Sequence, residues 1–385
     1  MHRPGPSGGG NGFVFIGLTA GMKVLLVRGN PRKNGFTQYL VNLFANGLRE
    51  AGAQVTDVDI TSDAYALKPC LGCYYCWLVK PGHCVHHDPM EQLLPKILDA
   101  DVLVCATPVY YFGMSSYLKN FFERTFPLTT EGLEPSRMGG LRNCLREPAR
   151  WVNKKMITIT VGALRARDAY EPINQTFRLI ADTLDVEMGG QLTRPESHLL
   201  PYKMSKPMTL KRIESAFLKA GIEAGTTGKL SAKTMADAEL PLSPDERYFH
   251  TYTNIYWERV AALSATNTNS AKLHQEVGND PDILMREMAR SMNPQATARL
   301  RAVLQFDFPD RQRHYTFSID KGQCELKFEP AAKPDLRVTC DSSTWVALFT
   351  RQLNVPAALR QGIIQLQGDK SLFTKLDRYF PPPSV

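Results

Sequence analysis

Four cysteines lie close together in the first quarter of the chain. Cys70, Cys73 and Cys76 are separated by two residues each, and Cys84 follows after seven more, in CLGCYYCWLVKPGHC. Cysteine thiolates hold iron–sulfur clusters, and a compact C-x2-C-x2-C run can wrap one face of a cubane. A structural zinc site more often uses two separated pairs. The residues leave two interpretations open: a metal–sulfur centre, or free thiols in a redox-active loop.

A second candidate site lies between an apolar run and a helical pattern. Val24–Val27 predicts a short buried strand, and apolar residues recur at helical spacing from Phe36 until Gly52. The first amides of a helix have no partner inside it, and its dipole makes its start partly positive. The polar loop GNPRKNG before this helix therefore predicts a phosphate site. Its candidate residues are Asn30, Arg32, Asn34, Gly35, Phe36 and Thr37.

Two more loops are expected at the same edge of a sheet. Asp101–Ala106 and Met156–Val161 are apolar runs that predict buried strands, and each leads into a turn. Ligands of open parallel sheets bind at the carboxyl ends of the strands. A flat ring needs an apolar wall and backbone amides there, which PVYYFG can supply. The candidates are Pro108, Val109, Tyr110, Tyr111, Phe112, Gly113 and Gly162.

The phosphate loop resembles that of the NAD(P)H-dependent FMN reductase and iron–sulfur flavoprotein group, which usually reads G-S-P-R-K-x-G-N-T. This chain departs from that pattern at Asn30 and Phe36. The resemblance implies a flavodoxin-like fold that binds FMN, takes electrons from NAD(P)H and assembles as a homo-oligomer. Iron–sulfur flavoproteins would make Cys70, Cys73, Cys76 and Cys84 the ligands of a [4Fe–4S] cluster. Other members of the group keep similar cysteines without a cluster.

Length and composition exclude several classes of protein. The 385 residues allow two domains, and 43% hydrophobic with 22% charged residues indicate a globular protein. The net charge of +8 is spread along the chain, so nucleic acid is not an expected partner. No apolar run approaches the length of a membrane span. Clustered cysteines in a chain of this size favour a reducing, cytoplasmic location.

The order of the patterns divides the chain. Residues 1–21 are rich in Gly, Pro and Ser and predict a disordered extension. Residues 22–262 alternate strands and helices, which predicts a doubly wound, mostly parallel α/β sheet. A polar stretch with four arginines at 127–155 predicts either a solvated surface loop or a lid. Residues 263–279 predict a linker, and 280–385 predict a smaller α+β domain with strands clustered in sequence.

The second domain resembles the SCP2 sterol-carrier family. The resemblance depends on PDLRVTC-DSSTW and GIIQLQGDKSLFTKL. It implies an apolar tunnel for sterols or acyl chains, but the same alternation of apolar residues would also serve a filled core. No acid/base or nucleophile set is identified in this domain.

These features together suggest an FMN-dependent oxidoreductase. Electrons would pass from NAD(P)H through FMN, and through a [4Fe–4S] cluster if one is bound, to a small-molecule acceptor. The second domain would hold or present an apolar substrate. The alternative is an electron-transfer or lipid-carrier protein with no substrate turnover of its own.

Overall fold

The computed structural model describes residues 21–200, 207–264, 280–349 and 353–381. The predicted extension lies outside these ranges except for Gly21, and the predicted linker lies outside them except for residues 263–264. The last helix of the first domain ends at Ser264, two residues beyond the predicted boundary at 262. Within the described ranges, no helix combines the length and apolar character that crossing a bilayer requires.

The first domain alternates strands and helices in the order that the sequence predicts. Its strands are β1 Lys23–Arg28, β2 Gln54–Asp59, β3 Val102–Pro108, β4 Thr129–Pro135, β5 Leu141–Leu145, β6 Lys155–Val161 and β7 Glu187–Arg194. Its helices are α1 Phe36–Glu50, α2 Tyr75–Leu78, α3 Met90–Asp99, α4 Ser116–Glu123, α5 Glu171–Thr183, α6 Pro207–Thr227, α7 Ala232–Ala238 and α8 Glu246–Ser264.

The main sheet contains five parallel strands. Their order is β2-β1-β3-β6-β7, so the sequence of sheet strands is 2-1-3-4-5, which is the flavodoxin-like arrangement. The continuous apolar runs of β1, β3 and β6 are buried because helices cover both faces. One face packs against α1 and α6, and the other against α3, α4 and α5. This confirms the predicted doubly wound α/β fold.

Glycines let α1 and α6 cross in direct backbone contact. A Cβ at Gly47 would lie 2.0 Å from the carbonyl oxygen of Leu218. A Cβ at Gly221 would lie 2.0 Å from the carbonyl oxygen of Phe44, on the opposite helix. Because both helices lack a side chain at the crossing, α6 can lie close enough to cover the face of α1 that the sheet does not.

The polar stretch at 127–155 is neither an irregular loop nor a lid over the sheet edge. It contains the antiparallel hairpin of β4 and β5, which forms a separate two-stranded sheet. Two of its arginines pair with Asp185 in the turn between α5 and β7. Arg137 Nε lies 2.6 Å and Arg142 Nη2 lies 3.1 Å from that carboxylate. These ion pairs fix the hairpin to the side of the domain.

The second domain contains its own five-stranded sheet. Its strands are β8 Arg301–Phe308, β9 Arg313–Asp320, β10 Gln323–Lys327, β11 Leu336–Thr339 and β12 Gln365–Gly368. Its helices are α9 Pro281–Arg290, α10 Ser342–Phe349, α11 Val355–Arg360, α12 Lys370–Phe373 and α13 Leu376–Tyr379. The strand order is β10-β9-β8-β11-β12, with only the β8–β11 pair parallel. This mixed sheet confirms the predicted α+β class.

Aromatic rings fill the interior of this domain. Phe306, Phe308, Tyr315, Phe317 and Trp345 are all buried. The rings of Phe306 and Trp345 lie 4.8 Å apart between centroids, and those of Phe306 and Phe317 lie 5.2 Å apart. Their contacts form one core with the apolar faces of the helices.

The sequence patterns over 296–304 and 372–380 each predict a helix, and the structure differs from both predictions. The helix predicted over 296–304 is wrong, because turns occupy 296–299 and β8 begins at Arg301. Pairing of β8 with two neighbouring strands outweighs the helical propensity of its alanine, arginine and leucine residues. The final predicted helix over 372–380 is two short helices, α12 and α13.

Candidate functional site

A cleft lies at the carboxyl ends of β1, β3 and β6, where the three predicted loops converge. Its lining residues come from four segments of the first domain. They are Asn30, Pro31, Arg32, Gly35, Phe36, Thr37, Pro108, Val109, Tyr110, Val161, Gly162, Ala163 and Ser197. The parallel order of the sheet brings together loops at residues 30–37, 108–110 and 161–163, because all three strands end at the same edge.

The start of α1 faces this cleft without a side-chain cap. Gly35 is the N-cap residue and makes no side-chain cap hydrogen bond, and the first turn contains no acidic residue. Gly29 lets the loop pass close to α4, since a Cβ there would lie 2.9 Å from Leu118 Cβ. Backbone amides at an uncapped helix start suit an anion such as a phosphate.

The Asn30 side chain, which belongs to the lining of the cleft, contains a buried acceptor atom. Only 2% of the residue is exposed, and its Nδ2 donates to Gln38 Oε1 at 2.8 Å. Its Oδ1 has no hydrogen-bond partner in the described part of the chain. A buried acceptor of this kind is normally satisfied, so it suits a ligand hydroxyl. Thr37 is buried beside it and Arg32 is exposed at the rim. The residues present therefore fit a phosphorylated polyol such as the ribityl phosphate of FMN.

Lys33, the second cation of this loop, is not among the residues that line the cleft. Lys33 pairs with Asp59, and its Nζ donates to Thr61 Oγ1 at 2.7 Å. Burial alone would raise the pKa of Asp59, but hydrogen bonds from Lys33 and Thr61 lower it below its ordinary value. Lys33 therefore contacts the end of β2 rather than the cleft. Asn34, a predicted site residue, is exposed and is not among the cleft residues.

The loop after β3 forms a tight turn that presents two aromatic residues to solvent. Tyr110 and Gly113 exchange two backbone hydrogen bonds of 2.9 Å. Between them Tyr111 and Phe112 have φ values of 46° and 62°, which bulky residues rarely adopt. Tyr111 is fully exposed and Phe112 is half exposed. Tyr110 thus lines the cleft, whereas the structure places Tyr111, Phe112 and Gly113 outside it.

Tyr170 determines how closely the third loop can pack. A Cβ at Gly162 would lie 2.6 Å from the Tyr170 hydroxyl oxygen, so only glycine fits there. The Tyr170 hydroxyl donates to the carbonyl of Leu164 at 2.7 Å. Burial raises the pKa of Tyr170 well above its ordinary value, so the hydroxyl stays a donor. The predicted residue Gly162 is therefore required for packing beside the cleft, whether or not it contacts a ligand.

Sequence analysis missed Ser197 and the buried ion pairs behind it. Glu196 is 1% exposed and Arg194 is 0% exposed. The Glu196 carboxylate accepts from the backbone N–H of Leu242 at 2.6 Å and from Arg165 Nη1 at 3.1 Å. The amide of Ser197 donates to the carbonyl of Gly162 at 2.9 Å. These bonds tie the rim of the cleft to the segment before α8. The strand signal of β7 was too weak to reveal them.

The four clustered cysteines line a second cavity, away from the first. Cys70, Cys73, Cys76 and Cys84 all contribute to its wall, together with Trp77 and Arg124. Burial raises the pKa of the Cys76 thiol, and the charges of the other three thiols raise it further. The Cys76 thiol therefore lies within electrostatic reach of the other three. Within the described ranges, however, no three His, Cys, Asp or Glu side chains have the geometry of a metal-ion site.

A buried ion pair joins the two ends of the cysteine segment. Arg124 is 1% and Asp88 is 4% exposed, and their atoms Nη1 and Oδ2 lie 2.6 Å apart. Arg124 also donates to the carbonyl of Lys68 at 2.6 Å, while Asp88 accepts from the amide of Lys68 at 3.1 Å. Lys68 precedes the first cysteine and Asp88 follows the last one. The pair therefore closes the loop that carries all four thiols.

We expect Asp88 to make the protein's stability depend on acidic pH. Burial would raise its pKa, but hydrogen bonds from Arg124, Lys68 and Met90 lower it below the ordinary value. A carboxyl group with a depressed pKa stabilises the folded state at every pH above its unfolded-state pKa of ~4. This stabilisation is lost as the pH falls through the folded-state pKa of the group. Chemical denaturation at pH 7 and below pH 4 should show this loss, and D88N should show a smaller one. An equal loss in D88N would contradict the assignment to Asp88.

Two family models match separate parts of the chain. Residues 22–175 match the NADPH-dependent FMN reductase family, and residues 283–381 match the SCP-2 sterol transfer family. Both resemblances proposed from the sequence are thereby confirmed. The first match supports the expectation of an FMN site in the first domain.

Similar proteins include several iron–sulfur flavoproteins. One from Methanocaldococcus jannaschii is 32% identical over 119 residues, which are 31% of this chain and 60% of that protein. Another from the same organism is 36% identical over 103 residues, 27% of this chain and 50% of that protein. An FMN-dependent NADH-azoreductase from Bacillus anthracis has a TM-score of 0.41 at 12% identity and covers 53% of this chain and 99% of its own.

The matched regions cover about half to three-fifths of these curated relatives, from 50% to 60% of their length. The region from 176 to 262 extends beyond the first family match, yet it supplies Ser197 to the cleft. Residues 22–175 are thus similar to the NADPH-dependent FMN reductase family, and residues 283–381 are similar to the SCP-2 sterol transfer family.

Proposed function

We propose that the protein is an FMN-dependent NAD(P)H oxidoreductase that delivers electrons to a small, apolar acceptor. The observation that carries this proposal is the convergence of three loops on one cleft at the carboxyl edge of the sheet. In the proposal Thr37 and the first amides of α1 bind the phosphate, Arg32 adds a cation at the rim, and Asn30 accepts from a ribityl hydroxyl. Tyr110 and the backbone after β6 flank the ring.

The cofactor supplies the redox chemistry, since bound FMN accepts a hydride from NAD(P)H and passes its electrons onward. The chain's contribution is to bind and orient. The close packing at Gly162 fixes the backbone beside the ring, and the ion pairs of Glu196 hold that backbone in place. No acid/base residue is required of the protein in this scheme.

A double substitution in the phosphate loop tests the proposal. We expect Arg32→Ala with Thr37→Ala to weaken FMN binding at least tenfold, because a hydrogen bond to a charged group contributes about 1.5–3 kcal/mol. The dissociation constant is measured by quenching of flavin fluorescence. The matched control is Lys33→Ala, which removes a cation of the same loop that pairs with Asp59. We expect that control to bind FMN as the unchanged protein does.

Two outcomes contradict the proposal. The phosphate site is wrong if the double variant and the Lys33→Ala control bind FMN equally well. The assignment as an NAD(P)H oxidoreductase is wrong if the FMN-loaded protein is not bleached by NADH or NADPH under anaerobic conditions. A yellow protein that neither nucleotide reduces would favour the alternative of an electron carrier without turnover.

We also propose that Cys70, Cys73, Cys76 and Cys84 hold a [4Fe–4S] cluster, which transfers single electrons. Their common cavity and their mutual charge effects on Cys76 support this proposal. The amide of Gly72 lies 3.5 Å from Cys70 Sγ, a contact that would stabilise a thiolate. Iron and acid-labile sulfide analysis after anaerobic reconstitution tests it. Fewer than four iron atoms per chain in the fully reconstituted protein would contradict it.

The second domain is proposed to present the apolar acceptor to the first, in a cytoplasmic homo-oligomer. The fusion of the two matched domains in one chain supports this role. Turnover of a lipophilic quinone and of ferricyanide is compared in the full chain with and without an excess of a long-chain fatty acid. The carrier role is supported if the fatty acid lowers the rate with the quinone but not the rate with ferricyanide. It is contradicted if the fatty acid changes neither rate.

A further inference from the structure

The guanidinium of Arg124 has one donor that the fold does not use. Both terminal nitrogens face the Asp88 carboxylate, with Nη1–Oδ2 and Nη2–Oδ1 distances of 2.6 and 3.0 Å. Nη1 also donates to the carbonyl of Lys68. The remaining donor, Nε–H, is buried and has no hydrogen-bond partner in the described part of the chain. A buried N–H of a charged group without an acceptor is costly, so its persistence calls for an explanation.

The position of Arg124 identifies the acceptor that this donor can reach. Arg124 belongs to the wall of the cavity that the four cysteines line, and Cys84 interacts with its guanidinium. Sulfur of a thiolate or of a metal–sulfur centre accepts hydrogen bonds and carries negative charge. The other charged or titratable groups in the wall are Glu123, His86, Tyr74 and Tyr75. The His86 ring bonds to the carbonyl of Pro69 at 3.1 Å.

Asp88 fixes the orientation of this donor. A bidentate contact with a carboxylate fixes the plane of a guanidinium through its two terminal nitrogens. The Nε–H group then remains available to another acceptor. Because Asp88 also accepts from the amides of Lys68 and Met90, it cannot move without opening the loop. Asp88 and the carbonyl of Lys68 therefore hold the Arg124 guanidinium at the two ends of the cysteine segment, beside the cavity that Arg124 helps to line.

We propose that Arg124 is a positioning residue of the cysteine centre, donating through Nε–H to sulfur on its Cys84 side and stabilising its reduced state. This inference depends on the proposed [4Fe–4S] cluster. Reduction adds one electron and therefore negative charge to the sulfurs, so a donor and a nearby cation favour the reduced form and raise the reduction potential. The negative charge of Asp88 partly cancels the effect of the positive charge of Arg124 on the potential. The hydrogen bond from Nε–H to sulfur is not affected by this cancellation.

The test compares reduction potentials in the full chain reconstituted anaerobically with iron and sulfide. Arg124→Gln alone would leave Asp88 buried and unpaired, so the informative variant is R124Q combined with D88N, which keeps the pair neutral. R124K keeps the positive charge but lacks the Nε–H donor. The matched control is R150Q, because Arg150 is an exposed arginine whose Nη1 lies 3.9 Å from Glu147. Potentials are measured by titration followed by electron paramagnetic resonance.

We expect the double variant to be reduced at a more negative potential than the unchanged protein, R124K to lie between them, and R150Q to match the unchanged protein. If the double variant folds but loses its iron, the potential of R124K decides between the two outcomes. If the double variant does not fold, R124K decides. Equal potentials in every iron-loaded protein would overturn the inference and leave the cluster intact. An unchanged protein without iron would overturn the cluster and the inference together.

Discussion

Gly47→Val should be among the most destabilising single substitutions in the first domain. The new side chain would begin 2.0 Å from the Leu218 carbonyl oxygen, so α1 and α6 would have to separate. Both helices cover one face of the sheet, and their separation would expose part of that core. Inserting atoms into a packed core costs about 1–3 kcal/mol and occasionally more, and here the obstacle is backbone, so we expect the upper end or above. Urea denaturation measures the loss.

Gly52 provides the matched control for this substitution. It lies just beyond the end of α1 with φ +72°, and nothing approaches within 4 Å of a Cβ placed there. Gly52→Asn adds a residue that tolerates a left-handed conformation, so its cost should stay below about 1 kcal/mol. A similar loss of stability in both variants would show that the helix crossing tolerates a side chain and would contradict the contact.

We expect Glu196→Ala both to lower the free energy of unfolding and to weaken FMN binding. Burial lowers the pKa of Arg194 to about 10, and the charge of Glu196 opposes that shift. Removing the carboxylate leaves buried Arg194 without an ion pair, and breaking a buried pair costs about 3–5 kcal/mol. It also frees the segment that places Ser197 in the cleft, so FMN affinity should fall. Urea denaturation of the apoprotein and flavin fluorescence measure the two effects separately.

The control removes another carboxylate partner of Arg165, the second arginine that pairs with Glu196. Arg165 also pairs with Glu246 at 3.2 Å, and 74% of the Glu246 side chain is exposed. Exposed ion pairs contribute about 0–1 kcal/mol, so Glu246→Ala should change stability within that range and leave FMN binding unaltered. If Glu196→Ala is as mild as Glu246→Ala, the buried network does not support the rim of the cleft.

Apolar runs made the main sheet predictable. A strand that is buried on both faces leaves a signal of consecutive apolar residues, which β1 and β3 show. In β6 two threonines alternate with the apolar residues, but the strand is still recognisable. Because parallel strands end at one edge, the loops after them could be assigned to a common site without knowing any distance. The second domain was predictable for a different reason, since its strands lie close together in sequence.

Other features leave no pattern in a single sequence. β7 contains Gly189 and Gly190, which interrupt its apolar character, so the strand and Ser197 after it were missed. The hairpin of β4 and β5 has intermediate or exposed residues on both faces, so it resembles a loop. Arg124 and Asp88 are 36 residues apart, and nothing local shows that they form a pair. The outward direction of Tyr111 and Phe112 depends on left-handed φ values that their residue types disfavour.

The aromatic interior of the second domain has a consequence for any cargo. The ring of Phe306 packs against two other aromatic rings. Its centroid lies 4.8 Å from that of Trp345 and 5.2 Å from that of Phe317. A sterol or acyl chain that entered between these rings would have to displace them, since close-packed interiors contain few voids larger than a water molecule. Loading would then be limited by the opening of the protein rather than by diffusion, and tryptophan fluorescence would report each arrival.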